Sequence, residues 1–226
     1  MYTVIDIETT GFLKYDSNHT LITDLLEFGY IQLDDKLRIV NHGTLYFYEP
    51  HFDIENDAQR IHGLTRQFLE AHATDNYTNA TAMAAMLTNT IIIGKNTDGF
   101  DIPFIKAWLK KMYGYNLDIG YTTEVLGMKG YHGGYVFHRD NSLSLDLQKC
   151  YKPYWQQAMR EQGFAIGNKK GSLSQYVEAI PGGFDMVKEI YGGLTKDRET
   201  LAHGALYDCV MTYLVLVQYI IKNGGI

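Results

Sequence analysis

Asp6 and Glu8 lie in the run Tyr-Thr-Val-Ile-Asp-Ile-Glu-Thr-Thr-Gly-Phe, from Tyr2 to Phe12. Thr3, Val4, Ile5 and Ile7 are β-branched and favour a strand. A strand projects residues i and i+2 to one face, roughly 7 Å apart. Both carboxylates therefore point the same way, at a strand end that breaks into Thr9-Thr10-Gly11. Paired acids beside a glycine turn suit a divalent cation or a phosphate. The competing reading is a solvated edge-strand face. Asp208 is the second clue. It interrupts a helical candidate, Leu206 to Ile221, in which Leu206, Val210, Leu214, Val217 and Ile221 form one face. Cys209, Met211, Val215 and Ile220 make that helix apolar nearly all round, so it is largely buried. A carboxylate there must be paired, hydrogen-bonded or metal-bound, because an isolated buried charge is costly. His203 stands five residues earlier, off the face of Asp208. It reaches the same place only from the helix start or the preceding loop, which Gly204 permits. Asp101 stands at the start of another helical candidate, Phe100 to Tyr113, where a capping role competes with a ligand role.

These groups need a sheet and helices to bring them together. Leu25 to Leu33 and Leu37 to Tyr48 read as strands, joined by a turn at Asp34-Asp35 and close enough in sequence to be antiparallel neighbours. Glu27 and Glu49 read as solvated or edge residues. Thr90 to Ile93 is a short apolar strand without alternation, as expected for a central parallel strand covered on both faces. Helices are expected at Asn56 to His62, ended by Gly63, and from a Thr65 cap to His72. Another spans Asn76 to Thr88, with Met83 and Met86 as packing residues. Later helices are expected at Pro153 to Gln162, from a Ser172 cap to Ile180, and at Phe184 to Tyr191, the last ended by Gly192-Gly193. Leu117 to Ile119 is the candidate fifth strand, and Leu143 to Lys149 is ambiguous. The glycine-rich segment Gly127 to Tyr135 lacks the Gly-Lys-Ser/Thr end of a phosphate loop. His42, His51 and His72 have no metal-ligand spacing and read as structural or surface residues.

The 226 residues fit one large α/β domain, and the 46% apolar content is ample for a core. A net charge of −6 excludes a globally basic nucleic-acid binder, though not a nuclease with an acidic site. Cys150 and Cys209 are too few for a disulfide scaffold or a thiolate zinc site, and fit a reducing, cytoplasmic compartment. The acid-bearing first strand is not a basic leader, so no signal peptide is expected. No uninterrupted apolar stretch reaches about 18 residues, so no membrane partner is expected.

In order along the chain, three motifs resemble those of the DEDD superfamily of 3′–5′ exonucleases, in its DEDDh branch. Asp-x-Glu on the first strand is met by Asp6-Ile7-Glu8. Asn-x-x-x-(Phe/Tyr)-Asp is met by Asn96 to Asp101, and His-x-x-x-x-Asp by His203 to Asp208. His62-Gly63-Leu64-Thr65 is near the His-Gly-Ile-Thr segment of polymerase-associated members, such as the proofreading exonucleases of bacterial DNA polymerases. The resemblance covers Met1 to about Phe104 and Ser172 to Ile221. It implies an α/β, ribonuclease H-like fold with a five-stranded mixed sheet and helices on both faces. It also implies one exonuclease domain over 1–226, with a family-atypical insertion at about 127–170. That insertion, with Tyr151, Tyr154, Trp155, Lys169 and Lys170 and the aromatic and basic residues of 131–139, is expected to border the substrate path.

The resemblance further implies that Asp6, Glu8, Asp101 and Asp208 hold two divalent metal ions, Mg²⁺ or Mn²⁺, about 4 Å apart. His203 takes the proton from the attacking water, a role suited to histidine near neutral pH. Thr9, Thr10, Gly11 and Phe12 receive the terminal nucleotide, with His62 and Asn96 as further substrate contacts. The implied reaction is 3′–5′ release of nucleoside 5′-monophosphates from single-stranded or frayed DNA ends, in a polymerase or replication context. Short or structured RNA, and a catalytically inactive nucleic-acid binding or polymerase accessory module, are the alternatives. An aspartyl-phosphate phosphatase would need Asp at position 8, where Glu8 stands.

Overall fold

The β-branched run around Asp6 forms β1 (Tyr2–Thr9) at the centre of a five-stranded sheet. A computed structural model describes residues 1–117, 124–125, 128–129, 143–167, 169–195 and 204–222. Strands β2 (Leu25–Leu33) and β3 (Ile39–Tyr46) follow as antiparallel neighbours, then helices α1 (Asn56–His62), α2 (Arg66–His72) and α3 (Asn76–Met86). Next come β4 (Ile91–Gly94), α4 (Asp101–Tyr113) and a small hairpin of β5 (Glu124–Val125) and β6 (Met128–Lys129). The chain continues through β7 (Leu143–Asp146), α5 (Leu147–Cys150), α6 (Lys152–Glu161), α7 (Leu173–Glu178), α8 (Gly183–Leu194) and α9 (Ala205–Lys222). The sheet order is β3-β2-β1-β4-β7, with β4 parallel to both β1 and β7.

Several ends follow local chemistry. Gly63 takes φ +73°, which ends α1 at little steric cost. The Thr65 hydroxyl accepts the Phe68 N–H and caps α2. Ser172 and Gln175 form a reciprocal capping box on α7.

The alternation of β1 sets the faces of the core. Ile5 and Ile7 pack with Phe28, Ile92, Met83 of α3, and Phe104 and Trp108 of α4. Val4 points the other way, into a cluster with Ile93, Leu145, Cys209, Val210 and Val215. Asp6 and Glu8 share the parity of Val4, so they emerge on the face that α9 covers. By length and composition α9 could cross a membrane, with mean hydropathy 1.3, but 61% of it is buried inside the protein. Each fully buried Leu or Val contributes about 1.5–3 kcal/mol to holding it there.

Three expectations are corrected. The place beside β4 is filled by β7, not by Leu117 to Ile119. Leu117 lies outside any strand, and the next two residues lie outside the described ones. The ambiguous segment from Leu143 is strand because Ser144, Leu145 and Asp146 are buried where β4 presents its open edge. The expected insertion therefore contains core. Leu145, Leu147, Cys150, Tyr151, Trp155 and Ile166 are buried with α9, so Tyr151 and Trp155 are core residues and not a stacking surface. Residues 130–142 lie outside the described ones. Finally, Gly192 and Gly193 do not end α8, which runs to Leu194. Tyr191 before the pair and Leu194 after it pack on the core, and the Leu194 carbonyl meets His42 Nε2 at 3.0 Å, offsetting the glycine penalty of about 1 kcal/mol each.

Candidate active site

Pairing between β1 and β4 stops at Val4 and Ile93, and β4 ends at Gly94. Beyond that point β1 carries its acids past its parallel neighbour. The backbone N–H of Ile7 is thereby free to donate to the Asp101 carboxylate. Asp101 is buried in the first turn of α4. The helix is capped by Phe100 with no side-chain hydrogen bond, so Asp101 is not the outside cap that competes in the sequence reading. Asp208 stands in the first turn of α9, half-buried, with its N–H 3.3 Å from the Gly204 carbonyl. His203 lies outside the described residues.

The four acids share one electrostatic field. Burial first, then the charges of Asp208, Asp101, Glu8 and Glu27, push Asp6 well above the ordinary carboxylate range. Burial, then Glu27, Asp208 and Asp101, push Glu8 up to about 9. Burial raises Asp101 to about 7, with Asp146 and Asp208 adding to it against bonds from backbone N–H groups. Carboxylates gathered like this are hard oxygen donors that bind either protons or a cation. Among the described residues, no three Asp, Glu, His or Cys side chains are closed around a point as a finished metal cage. The donor type and shared charge nonetheless suit divalent ions, which Asp6, Glu8, Asp101 and Asp208 could hold.

Sequence reasoning placed Glu27 on a solvated edge. The structure buries it to 2% exposure, directly across from Glu8 in the β1–β2 register. The period-two pattern puts Glu27 on one strand face with Gly29, but only the β1–β2 register sets that face against Asp6 and Glu8. Gly29 is required by a close approach: a Cβ there would sit 2.4 Å from the Ala205 carbonyl carbon, at the start of α9. Asp146 was also missed. It is buried, and its Oδ1 accepts the N–H groups of Asn96 (2.8 Å) and Gln148 (2.9 Å).

The Asn96 to Asp101 motif is a tight turn pinned to β7 and α5. Asn96 has φ +64°, and its carbonyl accepts the N–H groups of Gly99 and Phe100. Its side-chain oxygen accepts from Gln148 Nε2 at 3.1 Å, while Asp98 accepts from Ser144 and Lys149. A Cβ at Gly94 would lie 1.6 Å from the Thr97 hydroxyl oxygen, so only glycine lets the turn fold back. Lys95 is half-buried beside it. Burial lowers its pKa against the opposing pull of Asp146, Asp101 and Asp6, and Lys170 lowers it further.

The Thr9 to Phe12 segment and the His62 segment come together. The Thr10 carbonyl accepts the Glu55 N–H just before α1, and the Thr10 hydroxyl accepts the Asp24 N–H at 2.8 Å. The Thr9 hydroxyl donates to the Gly11 carbonyl at 2.7 Å. His62 is buried, with Nδ1 accepting the Leu64 N–H and Nε2 lacking a hydrogen bond of ordinary geometry. Burial pushes its pKa down, and the nearby Thr9 backbone opposes that. Phe12 is 75% exposed and meets the edge of Phe100, with ring centroids 6.4 Å apart.

Known proteins share this fold and part of this sequence pattern. The sequence profile of the Exonuclease family matches residues 3–143. A DNA polymerase III of the PolC type from Thermotoga petrophila is 26% identical over 120 residues, which is 53% of this chain and 8% of that protein. E. coli Exonuclease I in complex with a dT13 oligonucleotide has the same fold, with a TM-score of 0.59 at 16% identity over 98% of this chain and 41% of that one. A zinc-bound form of an E. coli Exonuclease I–single-stranded DNA complex gives 0.58 at 16% identity, covering 98% and 40%. The chain thus spans less than half the length of these solved relatives and under a tenth of the polymerase. On the profile match across most of its sheet, with the acids of β1 and α4 inside the matched span, this chain belongs to the exonuclease family.

Proposed function

We propose that the chain is a metal-dependent 3′–5′ exonuclease that releases nucleoside 5′-monophosphates from DNA 3′ ends, single-stranded or frayed. The observation that carries this reading is the meeting of Asp6, Glu8, Asp101 and Asp208 from one strand and two helix starts, where Asp208, Asp101 and Glu8 raise the proton affinity of Asp6, and Asp208 and Asp101 that of Glu8. A divalent cation would compensate that charge. Two such ions, Mg²⁺ or Mn²⁺, would supply an activated water and stabilise the departing 3′ oxygen. The chain's own contribution is the carboxylate frame that sets where the ions sit. His203 is assigned the proton from the water by its match to the His-x-x-x-x-Asp motif of the DEDDh resemblance.

The substrate end is assigned to the segment after Glu8. Thr9 to Gly11 is held by Asp24 and Glu55, so its backbone is preorganised to meet a terminal 3′-OH. Phe12 stacks on the last base and His62 closes the pocket behind Thr9. Asn96, already committed to its turn, shapes the track through its backbone. DNA is favoured because the solved relatives are described in complex with a dT13 oligonucleotide and with single-stranded DNA. The PolC-type relative supplies the replication context.

The test is digestion of end-labelled single-stranded DNA and RNA with Mg²⁺, Mn²⁺ or chelator. The proposal expects mononucleotide release from the 3′ end, DNA faster than RNA, and silence in chelator. Undiminished hydrolysis in chelator overturns it.

A further inference from the structure

Glu27 is buried to 2% exposure, yet it stands among like charges: opposite Glu8 in register, and felt by Asp6 and Asp208. One carboxylate oxygen is explained. It is drawn to the backbone N–H of Ala205, the first residue of α9, which pulls the Glu27 pKa down against burial, at a helix start whose first N–H groups are left open. The second oxygen, Oε2, is buried with no hydrogen-bond partner. An uncharged acceptor would strap the helix as well, and would avoid burying a charge beside Glu8. The strap therefore accounts for half of this side chain. The remainder is an orphaned, inward, anionic oxygen at a cluster of hard donors.

We propose that Glu27 is a positioning residue for the cation site, strapping the start of α9 through Ala205 with one oxygen and presenting the other as an added anionic acceptor to a hydrated divalent ion. The inference rests on the metal-dependent reading above and deepens it. Glu27 does not replace any of the four holders. It fixes the origin of the helix that carries Asp208 while lending its charge and free acceptor to the same centre. Groups outside the direct ligands that hold and polarise them alter metal affinity or activity by about 10–100-fold when removed.

Glu27→Gln separates the two roles. The amide oxygen still accepts the Ala205 N–H, whereas the charge is lost and the second position becomes a donor. The measurement is Mn²⁺ binding to the full chain by titration calorimetry, without nucleic acid, and the shift of melting temperature on adding Mn²⁺. Hydrolysis is followed separately as a function of Mn²⁺ concentration. Glu27→Gln is expected to fold with a metal-free melting temperature at or above that of the parent. It should bind Mn²⁺ about 10–100-fold more weakly and need correspondingly more Mn²⁺ for half-maximal activity. Glu27→Ala should lose the strap as well and melt lower. Parental Mn²⁺ affinity and activation midpoint in Glu27→Gln would overturn the proposal, leaving Glu27 a helix strap only. Asp6→Asn is the control. If it too binds Mn²⁺ like the parent, the metal-dependent reading itself fails. If it loses the ion while Glu27→Gln keeps it, only the role of Glu27 falls.

Discussion

Gly29→Ala puts a single methyl group into the closest approach in the site. The added Cβ would lie 2.4 Å from the Ala205 carbonyl carbon and 2.5 Å from the Leu206 nitrogen, where ordinary contact begins at 3.4 Å. Both obstructing atoms are backbone, so no side chain can rotate away. The start of α9 must retreat from β2 by about 1 Å, or β2 must bend. Crowding of this kind costs about 1–3 kcal/mol of stability. The same retreat draws Asp208 away from Asp6 and Glu8 and stretches the bond from the Ala205 N–H to Glu27. A displacement near 1 Å at a catalytic constellation costs about 10² in rate. The expected variant is therefore folded, 1–3 kcal/mol less stable in urea, and about a hundredfold slower in nucleotide release. Its far-ultraviolet dichroism should stay that of the parent, since no helix is lost. Parental stability together with parental turnover would falsify the claim that Gly29 sets the distance between α9 and the acids.

Three further outcomes are expected. In chelator, stability should fall as pH rises. Glu27 moves from its ordinary 4.5 to about 7 on folding, so the native chain holds more protons across that window; its contribution is full below pH 4.5 and lost by about pH 7, roughly 3–4 kcal/mol at about 1.4 kcal/mol per unit. Glu8, raised to about 9, extends the decline, and Mn²⁺ should restore stability at pH 8; urea titrations at pH 5 and 8 with and without the ion check this, and a flat metal-free profile counts against the carboxylate cluster. Asp208→Asn should keep or raise the metal-free melting temperature, because it removes a charge that disfavours ionised Asp6, Glu8 and Glu27, yet cut hydrolysis by orders of magnitude; melting and nucleotide release on one preparation decide it. Trp155→Ala should cost about 3–5 kcal/mol, being a core deletion, and a salt-dependent change in DNA affinity without loss of stability would instead put Trp155 on the substrate path.

The elements whose pattern is local were readable from residue order. Thr65 and Ser172 supply their own helix caps, Gly63 its own stop, and the β-branched run of β1 its own strand, because each depends on neighbours a few residues away. Two acidic motifs were legible too, since the spacings within Asp6-Ile7-Glu8 and from Asn96 to Asp101 are set by one strand and one turn. Glu27 was not. On its own strand a glutamate between Leu26 and Phe28 looks like any edge carboxylate, and it becomes a site residue only when Glu8 is opposite and α9 closes over Gly29. The last sheet position shows the same limit. Leu143 to Asp146 and Leu117 to Ile119 are both short segments with apolar residues, and which one takes the place beside Ile91 to Gly94 depends on which can pair there in parallel while Tyr151 and Trp155 pack against α9. Local propensity fixes what a few neighbouring residues can do; the choice among distant partners belongs to the closed core, where burial and register are settled together.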